Sequence, residues 1–168
     1  MQFLTIHFLY LLNNMKQTPS FFIFLSTFLM AQSFNVVDSF HKNGLPKEIH
    51  HYTEANNKIT LSQKSYYFFN GQKEKYGPFV AGRKDGLWTE WRNDGSRLIE
   101  GQYENGDKHG VWTHWNPEGR KIKEGRFKRG KKDGTWTKYT AKGHKLWGKE
   151  YLEGEQIDIE YSIKNVFK

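Results

Sequence analysis

The chain has 168 residues, of which 17% are aromatic, and it contains 16 glycines and no cysteine. The absence of cysteine excludes disulfides, thiolate metal sites and a cysteine nucleophile, and the aromatic content argues against a disordered chain. The 26 basic residues outnumber the 18 acidic residues, so the net charge of +8 makes an anionic partner a candidate.

The first 31 residues have the pattern of a secretory signal peptide. An apolar run from Phe21 follows Lys16 and ends at the small residue Ala31. This order of regions is typical of signal peptides, and at ~1.5 Å per residue the run is short for a ~30 Å hydrocarbon core. We therefore predict a signal peptide over residues 1–31, with Met15 as an alternative start, and an exported protein (periplasmic, cell-surface or secreted). The alternative is an uncleaved N-terminus that anchors the protein in a membrane.

From residue 64 onward the sequence repeats every 24 residues. Trp-Thr-x-Trp/Tyr motifs begin at Trp88, Trp112 and Trp136, and of the 16 glycines only Gly44 and Gly148 fall outside the same period. A fixed period of this length is the sequence signature of a repeat architecture. The chain therefore divides into a degenerate N-terminal repeat or cap, a repeat domain and a C-terminal tail, at residues 32–63, 64–159 and 160–168.

Each repeat has the pattern of two short strands joined by tight turns. The segment from Leu87 to Arg92 has the Trp and Thr content of a strand, and Asn93-Asp94-Gly95-Ser96 is a hairpin signal. Neither strand is followed by a segment long enough for a helix, so the connections are antiparallel. The predicted fold is all-β, an elongated antiparallel β-meander of hairpin repeats in a single twisted sheet.

The hairpin turn also predicts the register of the strands. A two-residue loop at Asp94-Gly95 pairs Trp88 with Gly101 and Trp91 with Leu98, whereas a three-residue loop shifts every pair by one. The indole is expected to lie across the paired glycine and to cover backbone that has no side chain. The equivalent pairs in the next two repeats are Trp112 with Gly125 and Trp136 with Lys149.

The two aromatic residues of each motif are expected on opposite faces of the sheet. They are three positions apart, and successive side chains of a strand alternate between the faces. Both faces are therefore aromatic and are candidates for partner binding. The candidate partner-binding residues are Trp88, Trp91, Trp112, Trp115, Trp136 and Tyr139.

The repeat pattern carries a family resemblance. Gly-x-Trp-Thr-x-Trp/Tyr followed by Gly-x-Phe/Tyr-x-x-Gly resembles the MORN-repeat variant of bacterial YwqK-type antitoxin proteins, over about residues 64–158. The resemblance implies an antiparallel sheet and a non-enzymatic role as a protein-binding or scaffold module. An alternative that it implies is the antitoxin or immunity component of a toxin–antitoxin pair, in which the protein partner is a toxin.

Motifs for catalysis and metal binding are missing from the sequence. There is no Gly-x-Ser-x-Gly motif, and His41, His50 and His51 have no cysteine or carboxylate ligand at a recognisable spacing. We therefore predict that the protein is not an enzyme and has neither a cofactor nor a metal site.

A basic stretch suggests a second class of partner. Between Arg120 and Lys132, eight basic residues are accompanied by one acidic residue, Glu124. The stretch is either a membrane- or polyanion-binding module, contacting anionic lipid or a cell-envelope polymer, or a solvated edge where lysine discourages edge-to-edge pairing. Export disfavours nucleic acid. The candidate anion-binding residues are Arg120, Lys121, Lys123, Arg126, Lys128, Arg129, Lys131 and Lys132.

Overall fold

The computed structural model describes residues 32–157, which form one antiparallel sheet of 12 strands. The sheet order follows the chain, except that the short β5 pairs with β4 off the main path and leaves β6 as the next neighbour of β4. This arrangement confirms the predicted all-β antiparallel meander. The strands are β1 (Gln32–Phe40), β2 (Pro46–Ala55), β3 (Lys58–Tyr67), β4 (Lys73–Val80), β5 (Arg83–Lys84), β6 (Gly86–Trp91), β7 (Arg97–Glu104), β8 (Asp107–Trp115), β9 (Lys121–Lys128), β10 (Lys131–Tyr139), β11 (Lys145–Leu152) and β12 (Glu155–Ile157).

Two predicted segments, the signal peptide at residues 1–31 and the tail at residues 160–168, lie outside the described residues. Residues 32–157 contain no helix that is long and apolar enough to cross a membrane.

One type of hairpin turn recurs along one edge of the sheet. In the turn after β6, the Arg92 N–H donates to Ser96 O at 2.8 Å and the Gly95 N–H donates to Arg92 O at 2.9 Å. Gly95 has a φ of 85°, which a residue without a Cβ adopts at no steric cost. The same pair of hydrogen bonds begins at His41, Phe68, Asn116 and Thr140.

The first of these turns explains why Gly44 falls outside the repeat period. The turn at His41 precedes the turn at Phe68 by 27 residues, whereas the later turns follow at 24-residue intervals. Gly44 nevertheless donates to His41 O at 2.9 Å, as each of the other turn glycines does to its own turn. The same turn therefore also occurs in residues 32–63.

The register prediction is correct at the tryptophan and wrong near the turn. The loop holds three residues between its hydrogen-bonded ends, so Trp91 pairs with Arg97 and not with Leu98. A β-bulge between Glu90 and Trp91 then restores the register, and Trp88 pairs with Gly101 as predicted. The other predicted pairs are also present, Trp112 with Gly125 and Trp136 with Lys149.

Each of these glycines is covered by the tryptophan of the next repeat. A Cβ built on Gly101 would lie 2.2 Å from Cδ2 of Trp112. The prediction that Trp88 covers Gly101 is therefore wrong, because the Trp88 indole extends to the other side and lies over Gly77, where a Cβ would be 2.3 Å from its Cδ2. Gly101 pairs with both tryptophans, and an indole covers only one of its two neighbours.

Candidate binding surfaces

A continuous ladder of aromatic rings runs along one face of the sheet, which we call the ladder face. Neighbouring ring centroids are 5.0 to 6.5 Å apart, and the ring planes meet edge to face. Edge-to-face contacts at this distance are favourable beyond the apolar area that they bury. The rings of the ladder are Phe79, Trp88, Tyr103, Trp112, Phe127, Trp136 and Tyr151.

The three tryptophans of the ladder are buried. Their exposed fractions are 2%, 3% and 3% for Trp88, Trp112 and Trp136. Each indole N–H donates to a backbone carbonyl of the preceding strand, as Trp112 does to Gln102 O at 3.1 Å. Three of the six predicted partner-binding residues thus form the apolar framework of the sheet and present little surface to a partner.

The other three predicted partner-binding residues lie on the opposite face and are half-buried. They are Trp91, Trp115 and Tyr139. Cations accompany two of these rings: the Arg97 guanidinium carbon is 5.1 Å from the Trp115 ring centroid, and the Lys73 ammonium is 5.8 Å from that of Trp91. The opposite face therefore keeps partly accessible aromatic rings at a spacing of one repeat.

Carboxylates balance the positive charges of the opposite face. The Thr89 hydroxyl donates to the Glu100 carboxylate at 3.2 Å, and the Arg97 guanidinium lies 3.5 Å from the same group. The arrangement recurs in the next repeat with Thr113, Lys121 and Glu124. These contacts fix the side chains between the aromatic rings.

The basic stretch does not form one patch. Lys123 and Lys132 lie on the ladder face, with their ammonium groups 5.1 and 5.2 Å from the Trp136 ring centroid. Lys121 forms a salt bridge with Glu124 on the opposite face. A run that is continuous in sequence is therefore divided between the two faces.

The remaining members of the stretch do not join Lys123 and Lys132. Arg126, Lys128 and Lys131 are each adjacent in their strands to a ladder-face residue, so alternation places them on the opposite face. Arg129 has a φ of 49° in the turn between β9 and β10. The Arg120 guanidinium donates to a backbone carbonyl of the next turn at 3.3 Å.

The structure adds basic residues that the search for charge runs missed. Three lysines that share one repeat position stand over the ladder: Lys84, Lys108 and Lys132. The Lys84 ammonium is 4.0 Å from the Trp88 ring centroid, and that of Lys108 is 4.2 Å from Trp112. Their 24-residue spacing was the available signal, but it separates them too widely to appear as a cluster in the sequence.

The electrostatics of Lys84 reflect this crowding. Burial lowers the pKa of its ammonium, and the positive charges of Lys75 and Lys108 lower it further, against the opposing effect of Glu90. The protonated row on the ladder face is therefore under electrostatic repulsion that a bound anion would relieve.

The first three strands carry a polar cluster in place of a tryptophan. The Glu48 carboxylate accepts hydrogen bonds from His50 at 2.8 Å and from Lys64 at 3.0 Å. Burial raises the pKa of Glu48, but these two hydrogen bonds outweigh it and leave the pKa below its usual value. Asp38, Glu48 and His50 have the donor atoms of a metal site, but the Lys64 ammonium already neutralises the shared carboxylate, so the cluster is better suited to hold the strands together.

A shallow cavity of about 70 Å³ lies where the ladder ends, at β10 and β11. Lysines and aromatic rings line it, and Trp147 keeps 43% of its surface exposed. Lys149 stands opposite Trp136, at the position where the earlier repeats have glycine. The main lining residues are Lys123, Lys132, Lys149, Trp136, Trp147 and Tyr151.

No protein-family model matches the chain, and the search of curated proteins found no similar sequence.

Proposed function

We propose that this protein is a non-enzymatic scaffold that binds a protein partner on the face opposite the ladder. The observation that carries the proposal is the row of Trp91, Trp115 and Tyr139, which are partly accessible and accompanied by cations. Tryptophan, tyrosine and arginine are the residues most enriched at the energetic centres of protein interfaces. The resemblance to the MORN-repeat variant supports a binding role from the sequence.

Exposed aliphatic side chains extend this surface. Leu87 and Val111 are 50% and 51% exposed, and each is adjacent in its strand to a buried ladder tryptophan. Alternation therefore places both on the opposite face, near Trp91 and Trp115. Apolar contacts beside anchored aromatic rings are a common composition for the core of an interface.

A capture experiment with two matched variants tests the proposal. The full chain is immobilised, partners are captured from the native cell envelope, and the recovered protein is then titrated against the variants. The double change Trp91→Ala and Trp115→Ala is expected to weaken binding by at least about tenfold per ring, since hot-spot aromatics contribute about 2 kcal/mol each. Trp147→Ala removes an exposed indole from the ladder face and is expected to leave the affinity unchanged.

The opposite outcome has a clear form. A partner that is retained by the double variant, while circular dichroism shows an intact sheet, would exclude the opposite face as its binding site. Loss of the partner on Trp147→Ala alone would move the site to the ladder face.

Export is a separate part of the proposal, and it is supported by residues 1–31 of the sequence. The N-terminal residue of the mature protein and its cell fraction test it. Cleavage after Ala31 in an envelope or extracellular fraction is expected, whereas a full-length cytoplasmic protein would contradict export.

A further inference from the structure

The ladder face carries a row of lysines whose charges are not balanced as those of the opposite face are. Within residues 32–157, the ammonium groups of Lys84, Lys108, Lys123 and Lys132 form no salt bridge to a carboxylate. Glu90 is the acidic group that acts on Lys84, and it does not neutralise the rest of the row. On the opposite face, Arg97 and Lys121 are each paired with a glutamate.

We propose that this row binds a flexible linear polymer that carries phosphate groups and no bases, with its phosphates seated on the lysines. The inference concerns the ladder face, so it does not rest on the protein-binding proposal for the opposite face. It also differs from the basic stretch of the sequence, because two of its lysines, Lys84 and Lys108, lie outside residues 120–132.

The spacing of the row fits a polymer better than a single anion. Lys84, Lys108 and Lys132 lie on strands β5, β8 and β10, and the two later lysines are two strands apart in the sheet, which corresponds to about 10 Å. Lys123 lies on β9, between those two strands. One small anion cannot bridge these distances, whereas successive charges of one chain can.

The geometry of a sheet also favours a flexible chain over a flat surface. Neighbouring strands of a sheet are rotated by about 20° on average, so a row that crosses many strands winds around the sheet. A bilayer surface meets only part of such a row, while a flexible polymer can follow it.

The rings beneath the lysines explain why bases are not part of the ligand. Single-stranded nucleic acid binds by stacking its bases on accessible aromatic rings. The ladder tryptophans are buried, and the lysines stand over them. The accessible chemistry of the row is therefore ammonium groups, which bind phosphate as point charges.

The backbone holds the lysines of the row in place. The N–H groups of three turn glycines donate to the carbonyl oxygens of Lys84, Lys108 and Lys132 at 2.8, 2.9 and 2.9 Å. Each of these glycines belongs to the turn of the following repeat and has a positive φ, from 78° to 98°. The three donors are Gly106, Gly130 and Gly154. A site fixed in this way loses little backbone entropy on binding.

The cavity at the end of the ladder provides a point where the charge is densest. Lys123, Lys132 and Lys149 converge on it beside the exposed Trp147. We assign one phosphate of the polymer to this cavity, because three ammonium groups surround it and its lining contains no carboxylate.

Titration of the full chain with long-chain inorganic polyphosphate tests the proposal. Tryptophan fluorescence is followed at several salt concentrations, because counterion release makes the logarithm of the affinity fall linearly with the logarithm of the salt concentration. The triple change Lys84→Gln, Lys108→Gln and Lys132→Gln is expected to weaken binding by about tenfold or more at low salt. It is also expected to reduce the slope by about two, from about 0.7 per lost contact.

Two matched variants remove the same number of charges elsewhere. The first is Lys73→Gln, Arg97→Gln and Lys121→Gln, which share a repeat position and lie on the opposite face. The second is Arg126→Gln, Lys128→Gln and Arg129→Gln, which belong to the basic stretch but not to the row. Both are expected to bind polyphosphate within about threefold of the unchanged chain and to retain most of its slope. Thermal unfolding of all three variants checks that the sheet is intact.

Several outcomes would overturn the proposal. Equal losses in all three triple variants would indicate a general effect of net charge, and binding that is independent of salt would exclude the lysine row. Full competition by orthophosphate at equal phosphate concentration would reduce the site to one small anion. Tighter binding to phosphatidylglycerol vesicles, to single-stranded poly-deoxythymidine or to polyglutamate, with the same loss in the row variant, would assign the face to a membrane, a nucleic acid or an acidic protein instead.

Discussion

The repeat strands β4–β11 and the first three strands hold one sheet together by different means. In the repeat, the buried hydrophobic side chains are three tryptophans, each lying on a glycine of the preceding strand. In β1–β3 the buried side chain is Ser65, 1% exposed, which is hydrogen-bonded to His51 at 2.7 Å. The edge strand β1 is exposed along almost its whole length. One region is thus organised around apolar burial and the other around a polar network.

The difference shows what a single-layer sheet needs to be stable. Such a sheet has no second layer to cover its side chains, so most of them remain partly exposed. A tryptophan laid flat on a glycine buries a large ring against bare backbone, which is the apolar burial that a hydroxyl and an imidazole cannot supply. We therefore expect β1–β3 to open more readily than the repeat, as regions with few buried apolar contacts do.

Removal of a ladder tryptophan should have the largest effect and should abolish the advantage of the repeat. Trp112→Ala is expected to lower the free energy of unfolding by about 3–5 kcal/mol, because it leaves a cavity on Gly101 and interrupts the ladder. Urea unfolding measures the change, and hydrogen exchange shows whether the amides of β7–β9 lose protection first. As a matched control, Trp147→Ala removes an indole that is 43% exposed and should cost less than about 1 kcal/mol. Equal costs for the two changes would refute the role given to burial.

A methyl group at a covered glycine should have the next largest effect. A Cβ on Gly125 would lie 2.1 Å from Cδ2 of Trp136, so Gly125→Ala forces the indole off the backbone. Overpacking of this kind costs about 1–3 kcal/mol, measured as the shift in the urea midpoint.

The control is Gly148→Ala, in a strand position that no indole covers. Its nearest neighbour is Cγ2 of Thr135 at 3.1 Å, which can move by a few tenths of an ångström. A smaller loss than for Gly125→Ala is expected. A stability that is unchanged by both substitutions would show that the close glycine–indole contact is not needed.

The period of the sequence was sufficient to predict the fold and the pairing of tryptophan with glycine. It was not sufficient to predict which neighbouring glycine an indole covers, because Gly101 pairs equally with Trp88 and Trp112, and only the side-chain torsions decide between them. The loop length at Asp94-Gly95 was also misjudged, and the error is confined to Trp91 because the bulge restores the register.

The candidate surfaces were predictable only in part. Alternation predicts that Trp91 and Trp88 lie on different faces, but it does not show that one is accessible and the other buried. The lysine row was missed because Lys84, Lys108 and Lys132 are neighbours in the sheet and far apart in sequence. The cluster of Glu48, His50 and Lys64 depends on the pairing of β2 with β3, which the repeat period does not reach.

The smallest predicted effect is a pH dependence that separates the two regions. Burial lowers the pKa of His51, and the charges of Lys73 and His50 lower it further. The unfolded chain therefore takes up the proton first, so the stability of β1–β3 should fall as the pH decreases below the usual histidine value of 6.5. The pKa of Glu48 stays below its usual 4.5, so Glu48 does not contribute to this decrease.

Hydrogen exchange between about pH 7.5 and about pH 5.5 measures this effect region by region. His51→Gln keeps a hydrogen-bonding side chain beside Ser65 and should remove most of the decrease in β1–β3. His114→Gln is the matched change on the ladder, since burial and the charges of Lys123 and Lys108 lower the pKa of that histidine as well. It should flatten the pH dependence of β7–β9 and leave that of β1–β3 in place. If either variant changed both regions equally, the two parts of the sheet would unfold as one unit, and the proposed contrast between apolar and polar stabilisation would have no thermodynamic consequence.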